Sequence, residues 1–211
     1  MKYYQDITLL PDGDIALGFI WQKIFQQVHI ALVEQKVDEQ HSVIAVSFPA
    51  YNSEDFPLGN KLRVLAMERK ELEKLNLSKF LSRFDDYCHL KSIKVVPSDR
   101  TVPVAYVRKK VKGSTRIEKD MLSKAKHWSE KSGKSLDDCL KELEKSKPQA
   151  NSRLPFVWME SLQTKSMNPT GSSRFPIFIE RREFETHKAG LFNCYGLSFS
   201  SNGNVATVPH F

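Results

Sequence analysis

The segment FQQVHIALVEQ (25–35) sets one imidazole, His29, on a stretch with helical periodicity. Leu17, Ile20, Trp21, Ile24, Val28 and Ala31 recur at spacings of three and four. At about 100° per residue this apolar stripe centres near Ile24 and Val28, and His29 falls at its edge. A buried core role is therefore not expected. Two readings stand: a partly exposed helix residue with no task, or a working group whose ordinary pKa, near neutrality, suits proton transfer. The other histidines, His41, His89, His127, His187 and His210, show no H-x-x-x-H or other ligand spacing, so no metal site or cofactor is expected. Cys88, Cys139 and Cys194 are far apart and odd in number, forming neither a C-x-x-C pair nor a disulfide framework. The pairs Asp85–Asp86 and Asp137–Asp138 read as helix surface. A chain without metal motifs can still cut RNA, because RNA brings its own nucleophile, the 2′-hydroxyl. One imidazole can take that proton or protonate the leaving oxygen, and a hydroxyl side chain can hold the 2′-OH in line.

Charge narrows the partner. The chain has 211 residues and a formal net charge of +7. Residues 1–100 carry 13 Lys/Arg and 14 Asp/Glu, whereas residues 108–134 carry ten Lys/Arg and three Asp/Glu. One short segment holds the whole excess, which suits a polyanion such as nucleic acid. The alternative is a solvated helix face. Composition is that of a globular protein, 40% hydrophobic and 27% charged. No apolar run reaches the length of a membrane span, and no apolar signal segment opens the chain, so a cytoplasmic protein without membrane contact is expected.

The elements that must position these groups follow from pattern. Residues 3–10 read as a strand ended by Pro11, with Asp14 placed to cap a helix from Ile15 to about Gln35. Strands follow at 41–48 and 61–67, a helix at 68–88 and a strand at 91–97. The order βαββαβ predicts an α+β fold with an N-terminal ferredoxin-like domain over 1–98. Residues 99–211 form a C-terminal α/β region expected to pack on the first half. It contains a basic linker and helix at about 108–128 and a β segment at 154–211. Thr115 and Glu118 stand at capping-box spacing. Ile117, Met121, Ala125 and Trp128 make one helical stripe, and Arg116, Lys119, Ser123 and Lys126 make another.

Several segments resemble, in order, the CRISPR repeat-processing endoribonucleases of type I-F systems. YYQDITLLPD is similar to that family's opening strand, and FQQVHIALVEQ to the helix carrying its active-site histidine. AVSFP (45–49), LGNKLRV (58–64), LPFVWMES (154–161), FPIFIERR and CYGLS (194–198) follow over most of the chain.

The resemblance implies a metal-independent endoribonuclease that cuts repeat RNA 3′ of a stem-loop. It would leave a 2′,3′-cyclic phosphate and a 5′-hydroxyl, stay bound to the crRNA hairpin, and join other subunits of a type I-F surveillance complex. His29 would be general base or acid, Tyr195 would orient its ring, and Ser161 would constrain the ribose. Ser166 is a competing match for that serine. Phe175 would stack on a base beside the cut, or serve as a strand core residue. Arg108, Lys110 and Lys112 would contact bases or phosphates from the linker. Arg116, Lys119, Lys124 and Lys126 would face the stem from the helix. The family uses an arginine-rich helix there. This one is mostly lysine, a point charge that cannot fork onto guanine or phosphate, so differently read stem contacts are expected. The alternative is a non-catalytic RNA hairpin-binding subunit, which would have no need of His29, Ser161 and Tyr195.

Overall fold

The computed structural model describes residues 1–99, 101–111, 114–146, 154–161, 165–166, 173–199 and 205–211. The elements run β1 (Tyr3–Leu9), α1 (Leu17–Glu34), β2 (His41–Ser42), β3 (Ala45–Ser47), β4 (Lys61–Ala66), α2 (Arg69–Leu75) and α3 (Leu77–Leu81). After a 3-10 turn (Ser82–Phe84) come β5 (Cys88–Leu90), β6 (Lys94–Val95), β7 (Val102–Lys109), α4 (Ser114–Ser132) and α5 (Leu136–Glu144). The chain ends through β8 (Phe156–Glu160), β9 (Arg174–Glu183), β10 (Phe192–Asn193) and β11 (Val208–His210). No helix among the described residues is long and apolar enough to cross a membrane.

The fold is mixed α/β with antiparallel sheets. In the first sheet the order is β3-β4-β1-β5, with β6 also on β1. Every neighbouring pair there is antiparallel. The second sheet runs β11-β7-β9-β8, again antiparallel, and β10 pairs separately with β2. A continuous apolar core joins the sheets, from Ile7, Val28 and Val64 to Tyr106, Ile179, Phe192 and Leu197. Asp6 and Arg63 are cross-strand partners buried in it. Their carboxylate and guanidinium meet at 2.7 and 3.1 Å, and Arg63 also donates to the Phe211 carbonyl at 3.1 Å. Burying both charges is tolerable only because each lies within reach of the other.

Two compact units result: Met1–Lys109 with Pro155–Phe211, and Lys110–Leu154. The division at 98/99 drawn from sequence falls inside the first. In the second, α4 packs on α5. Gly133, at φ 68°, closes α4, and the Ser135 hydroxyl caps α5 by accepting from the Asp138 amide at 3.1 Å. Ile117, Ala125 and Cys139 are buried, while Arg116, Lys119, Ser123 and Lys126 are exposed.

Five local expectations are corrected. Asp14 does not cap α1. Asp12 instead accepts from the amides of Asp14 and Ile15 at 2.9 Å, making an Asx turn, and the helix begins at Leu17 behind Ala16. The run 41–48 is split, because the Ser42 hydroxyl bonds to the Ile44 amide and carbonyl and turns the chain from β2 to β3. The helix expected at 68–88 breaks at Asn76, which is left-handed at φ 47°. Thr115 lies inside α4 rather than at its cap. Of the strand expected at 91–97 only β6 (Lys94–Val95) forms, and a separate strand, β5 (Cys88–Leu90), precedes it where the helix was expected to end.

Candidate active site

α1 presents two faces. Its inner stripe, Ile20, Trp21, Ile24, Phe25, Val28, Ala31 and Leu32, is buried, and the Trp21 indole donates to the Gly59 carbonyl at 2.8 Å. The adjoining edge carries Gln22, Gln26 and His29 at spacings of four and three. That edge meets β8, against which α1 packs. His29 is half-buried, at the stripe's edge as its spacing indicates.

The imidazole is held on two sides by one turn. His29 Nδ1 lies 2.9 Å from the Cys194 carbonyl oxygen. A carbonyl only accepts, so Nδ1 carries the proton and Nε2 is the basic nitrogen of the neutral ring. The Tyr195 ring stacks on His29, with centroids 4.3 Å apart and planes 17° from parallel. Burial pushes the His29 pKa below its ordinary value, and the bond to Cys194 opposes that in part. The burial thus favours the neutral ring.

The turn at 193–196 is itself fixed. The Asn193 side chain accepts from the amides of Tyr195 and Leu197 at 2.9 and 3.2 Å. Gly196 sits at φ 71°, and its carbonyl accepts from the Val46 amide at 2.8 Å. A Cβ at Gly196 would stand 2.7 Å from Val46 Cγ1 and 3.0 Å from Val46 N, so only glycine lets this turn close on β3.

His29, Tyr195, Ser161 and Phe175 line one pocket of about 410 Å³, together with Gln26, Ile30, Val33, Glu34, Met159 and Glu160. Ser161 follows directly on β8, and its amide donates to the Ser173 carbonyl at 2.9 Å. Arg108, on β7, stands over both aromatic rings, its guanidinium 5.5 Å from the Tyr195 centroid and 5.7 Å from that of Phe175. Burial raises the Tyr195 hydroxyl pKa, and the Arg108 charge opposes the rise. The pocket thus combines one basic nitrogen, one serine, two aromatic faces and a guanidinium. Among the described residues no group of three or more His, Cys, Asp or Glu is arranged to hold a metal ion.

Residues 4–211 match the model of the CRISPR-associated protein family Cas_Csy4. The chain belongs to the Csy4 family. It is 28% identical over 201 residues to the CRISPR-associated endonuclease Cas6/Csy4 of Pseudomonas aeruginosa (strain UCBPP-PA14), covering 94% of this chain and 96% of that protein. A solved structure titled "An RAMP protein binding different RNA substrates" covers 99% of this chain at 10% identity, with a TM-score of 0.30. That likeness is too loose to bear on the fold.

In this Csy4-family chain the remaining residues singled out from sequence are dispersed. Ser166 is exposed and is not among the residues lining the pocket. Lys110 is exposed just beyond β7, and Lys112 lies outside the described residues. Lys119, Lys124 and Lys126 are exposed on α4, and Arg116 pairs with Asp120 at 3.2 Å. Sequence reasoning missed Gln26, Glu34 and Glu160 in the pocket wall, and Asn193 and Gly196 in the turn behind it. The glycine inside CYGLS was the one legible signal among them. The glutamines carried none, since amides on a helix edge read as surface.

Proposed function

We propose that this chain is an endoribonuclease that processes CRISPR repeat RNA, cutting 3′ of a stem-loop by attack of the substrate's own 2′-hydroxyl. The observation that carries the reading is the placement of the His29 ring. It has Nδ1–H committed to the Cys194 carbonyl and Nε2 left as base, in a pocket shared with Ser161 and Phe175. Family membership and the endonuclease name of the Pseudomonas relative support it.

In this mechanism His29 Nε2 takes the 2′-OH proton, and the oxygen so freed attacks the adjacent phosphorus. The P–O5′ bond breaks and the 5′ oxygen of the next nucleotide takes a proton from water, giving a 2′,3′-cyclic phosphate and a 5′-hydroxyl. Ser161 holds the ribose so that attack is in line. Tyr195 keeps the imidazole plane fixed, and Phe175 offers a stacking face to the base beside the cut. Arg108 supplies positive charge over those two rings, where the phosphate charge builds. The step asks for no metal, because RNA brings the nucleophile and His29 the base. The second unit, with its lysine-rich α4, grips the stem through phosphates. After cutting, the protein stays on the hairpin and serves as a cytoplasmic subunit of a crRNA-guided complex.

We read the first-half topology as ferredoxin-like. Counting β5 and β6 as one split strand, the βαββαβ elements stand in sheet order 4-1-3-2 with antiparallel neighbours.

The test is incubation of the protein with its own locus's repeat hairpin in EDTA, beside His29→Ala, with cutting and binding scored separately. The expected result is that wild type cuts and His29→Ala binds without cutting. Tight binding by both with no cutting by either would make the protein a non-catalytic hairpin-binding subunit.

A further inference from the structure

Two glutamines on the edge of α1 reach the same place on the second sheet. Gln26 Oε1 accepts from the Glu160 backbone amide at 3.0 Å. Gln22 Oε1 accepts from Arg174 Nη2 at 2.6 Å. Glu160 and Arg174 are cross-strand partners, the last residue of β8 and the first of β9. The next residue along each strand is a pocket group: Ser161 follows Glu160, and Phe175 follows Arg174. Gln22, Gln26 and His29 occupy one helix edge at i, i+4 and i+7, so the helix that carries the base also grips the strand ends that carry the serine and the phenylalanine.

The bonds are of a kind that fixes register. β8 is an edge strand. The Ser161 amide points inward to Ser173 on the β9 side, so the neighbouring Glu160 amide points outward, away from the ladder. Without Gln26 it would be an unsatisfied edge donor. Gln22 is only 6% exposed and Arg174 is exposed, so the guanidinium is anchored from its buried end. Arg174 also lies 5.3 Å from the Trp158 ring centroid, which limits its other direction of movement. Packing alone lets a helix slide against a strand by fractions of an ångström. Two directional bonds to adjacent strands resist that sliding.

We infer that Gln22 and Gln26 are positioning residues that set Ser161 and Phe175 against His29 by clamping the Glu160–Arg174 pair to α1. The inference rests on the endoribonuclease reading above, in which those three residues act together. The glutamines touch no reacting atom. They act through the strand ends, and a misplacement of about 1 Å there costs on the order of 10²-fold in rate.

The experiment compares Gln22→Met and Gln26→Met, which keep length and lose the acceptor, with Gln22→Glu and Gln26→Glu, which keep it. Single-turnover cutting of saturating repeat hairpin is measured on the high-pH plateau, alongside hairpin Kd, Tm and exchange of the Glu160 amide proton. The expected result is a loss of about tenfold for each Met variant and about 10²-fold for the pair, with Kd held within about twofold. Each Glu variant recovers most of the rate, and Gln26→Met speeds exchange at Glu160 while Gln26→Glu does not. Wild-type cutting by the Met variants, or equal losses in Met and Glu variants, would overturn the clamp. If wild type cuts no hairpin, the endoribonuclease reading has failed by itself. The exchange rates then decide the clamp alone: faster exchange in Gln26→Met keeps it, and unchanged exchange removes it.

Discussion

In the pocket, the groups proposed to act are held from more than one side. His29 is bonded to Cys194 and stacked on Tyr195, and Ser161 is tied by its amide to Ser173 and by its carbonyl to the Lys165 amide. On α4, Lys119, Lys124 and Lys126 stand exposed on flexible stems, and the one arginine is 73% exposed beside Asp120. On the proposed function the difference is one of chemical demand. Proton transfer depends on angles and sub-ångström distances, so its groups are worth immobilising. Phosphate attraction falls off over a Debye length of about 8 Å at physiological salt and tolerates imprecision, so long lysines suffice. The two regions should therefore fail in different ways when altered.

The largest effect separates them outright. His29→Ala should lower single-turnover cutting by about 10²–10⁴-fold while leaving hairpin Kd unchanged. Replacing Lys119, Lys124 and Lys126 together by Gln should do the reverse: weaken Kd and flatten its salt dependence, while the cutting rate of fully bound hairpin stays at the wild-type value. A triple variant that binds normally but cuts slowly would erase the distinction.

A smaller effect sharpens the pocket's own boundary. Ser161→Ala should slow cutting by roughly 10–10²-fold through lost alignment of the ribose, whereas Ser166→Ala should cut at the wild-type rate. Both rates come from the same gel assay, and a slow Ser166→Ala with a normal Ser161→Ala would exchange the two roles.

The next effect lies in pH. Burial lowers the His29 pKa from its ordinary value, and a general base works only when deprotonated. The kcat/KM of wild type should stay on its plateau as pH falls past about 6.5 and drop only below it. Tyr195→Leu removes the stacked ring that helps bury the imidazole. Its His29 pKa should move up toward the ordinary value, so this variant loses activity at a higher pH than wild type. A rate that instead falls as pH rises through the imidazole range would point to His29 acting as the protonated acid.

Which parts of this were readable in advance follows a physical line. The edge position of His29 came from helical periodicity alone, because burial on one face imposes that period. The order of strands and helices through residue 97 was legible for the same reason. What periodicity cannot carry is any bond that a side chain makes across the fold. The Ser42 hydroxyl bends the chain between β2 and β3, and nothing in HSVIAVSF marks it. The Cys194 carbonyl reaches His29 only because Asn193 and Gly196 fold the turn onto β3. Gln22 and Gln26 carry no local pattern that marks the strand ends they bond to. Tyr195, Ser161 and Phe175 came from resemblance to a family, since their local sequence gives no chemistry by itself.

The smallest prediction tests the lysine face one charge at a time. Each lysine that neutralises one phosphate releases about one condensed counterion, so removing it should lower the magnitude of the slope of log K against log salt by about one. Lys119→Gln, Lys124→Gln and Lys126→Gln, titrated singly with the repeat hairpin across a salt series, should each shift the slope by about that amount or less. They should weaken an unrelated RNA hairpin to the same degree, because an ammonium contacting phosphate carries no sequence information. Arg108→Lys differs in kind. It keeps the charge, and so the salt slope, but loses the planar guanidinium that stands over Tyr195 and Phe175. Its signature should be a slower cut with unchanged salt dependence, which assigns Arg108 to the pocket and leaves the lysines to the stem. If Arg108→Lys instead flattened the slope and spared the rate, that residue would belong with the lysines, and the line between the two regions would have to be redrawn through β7.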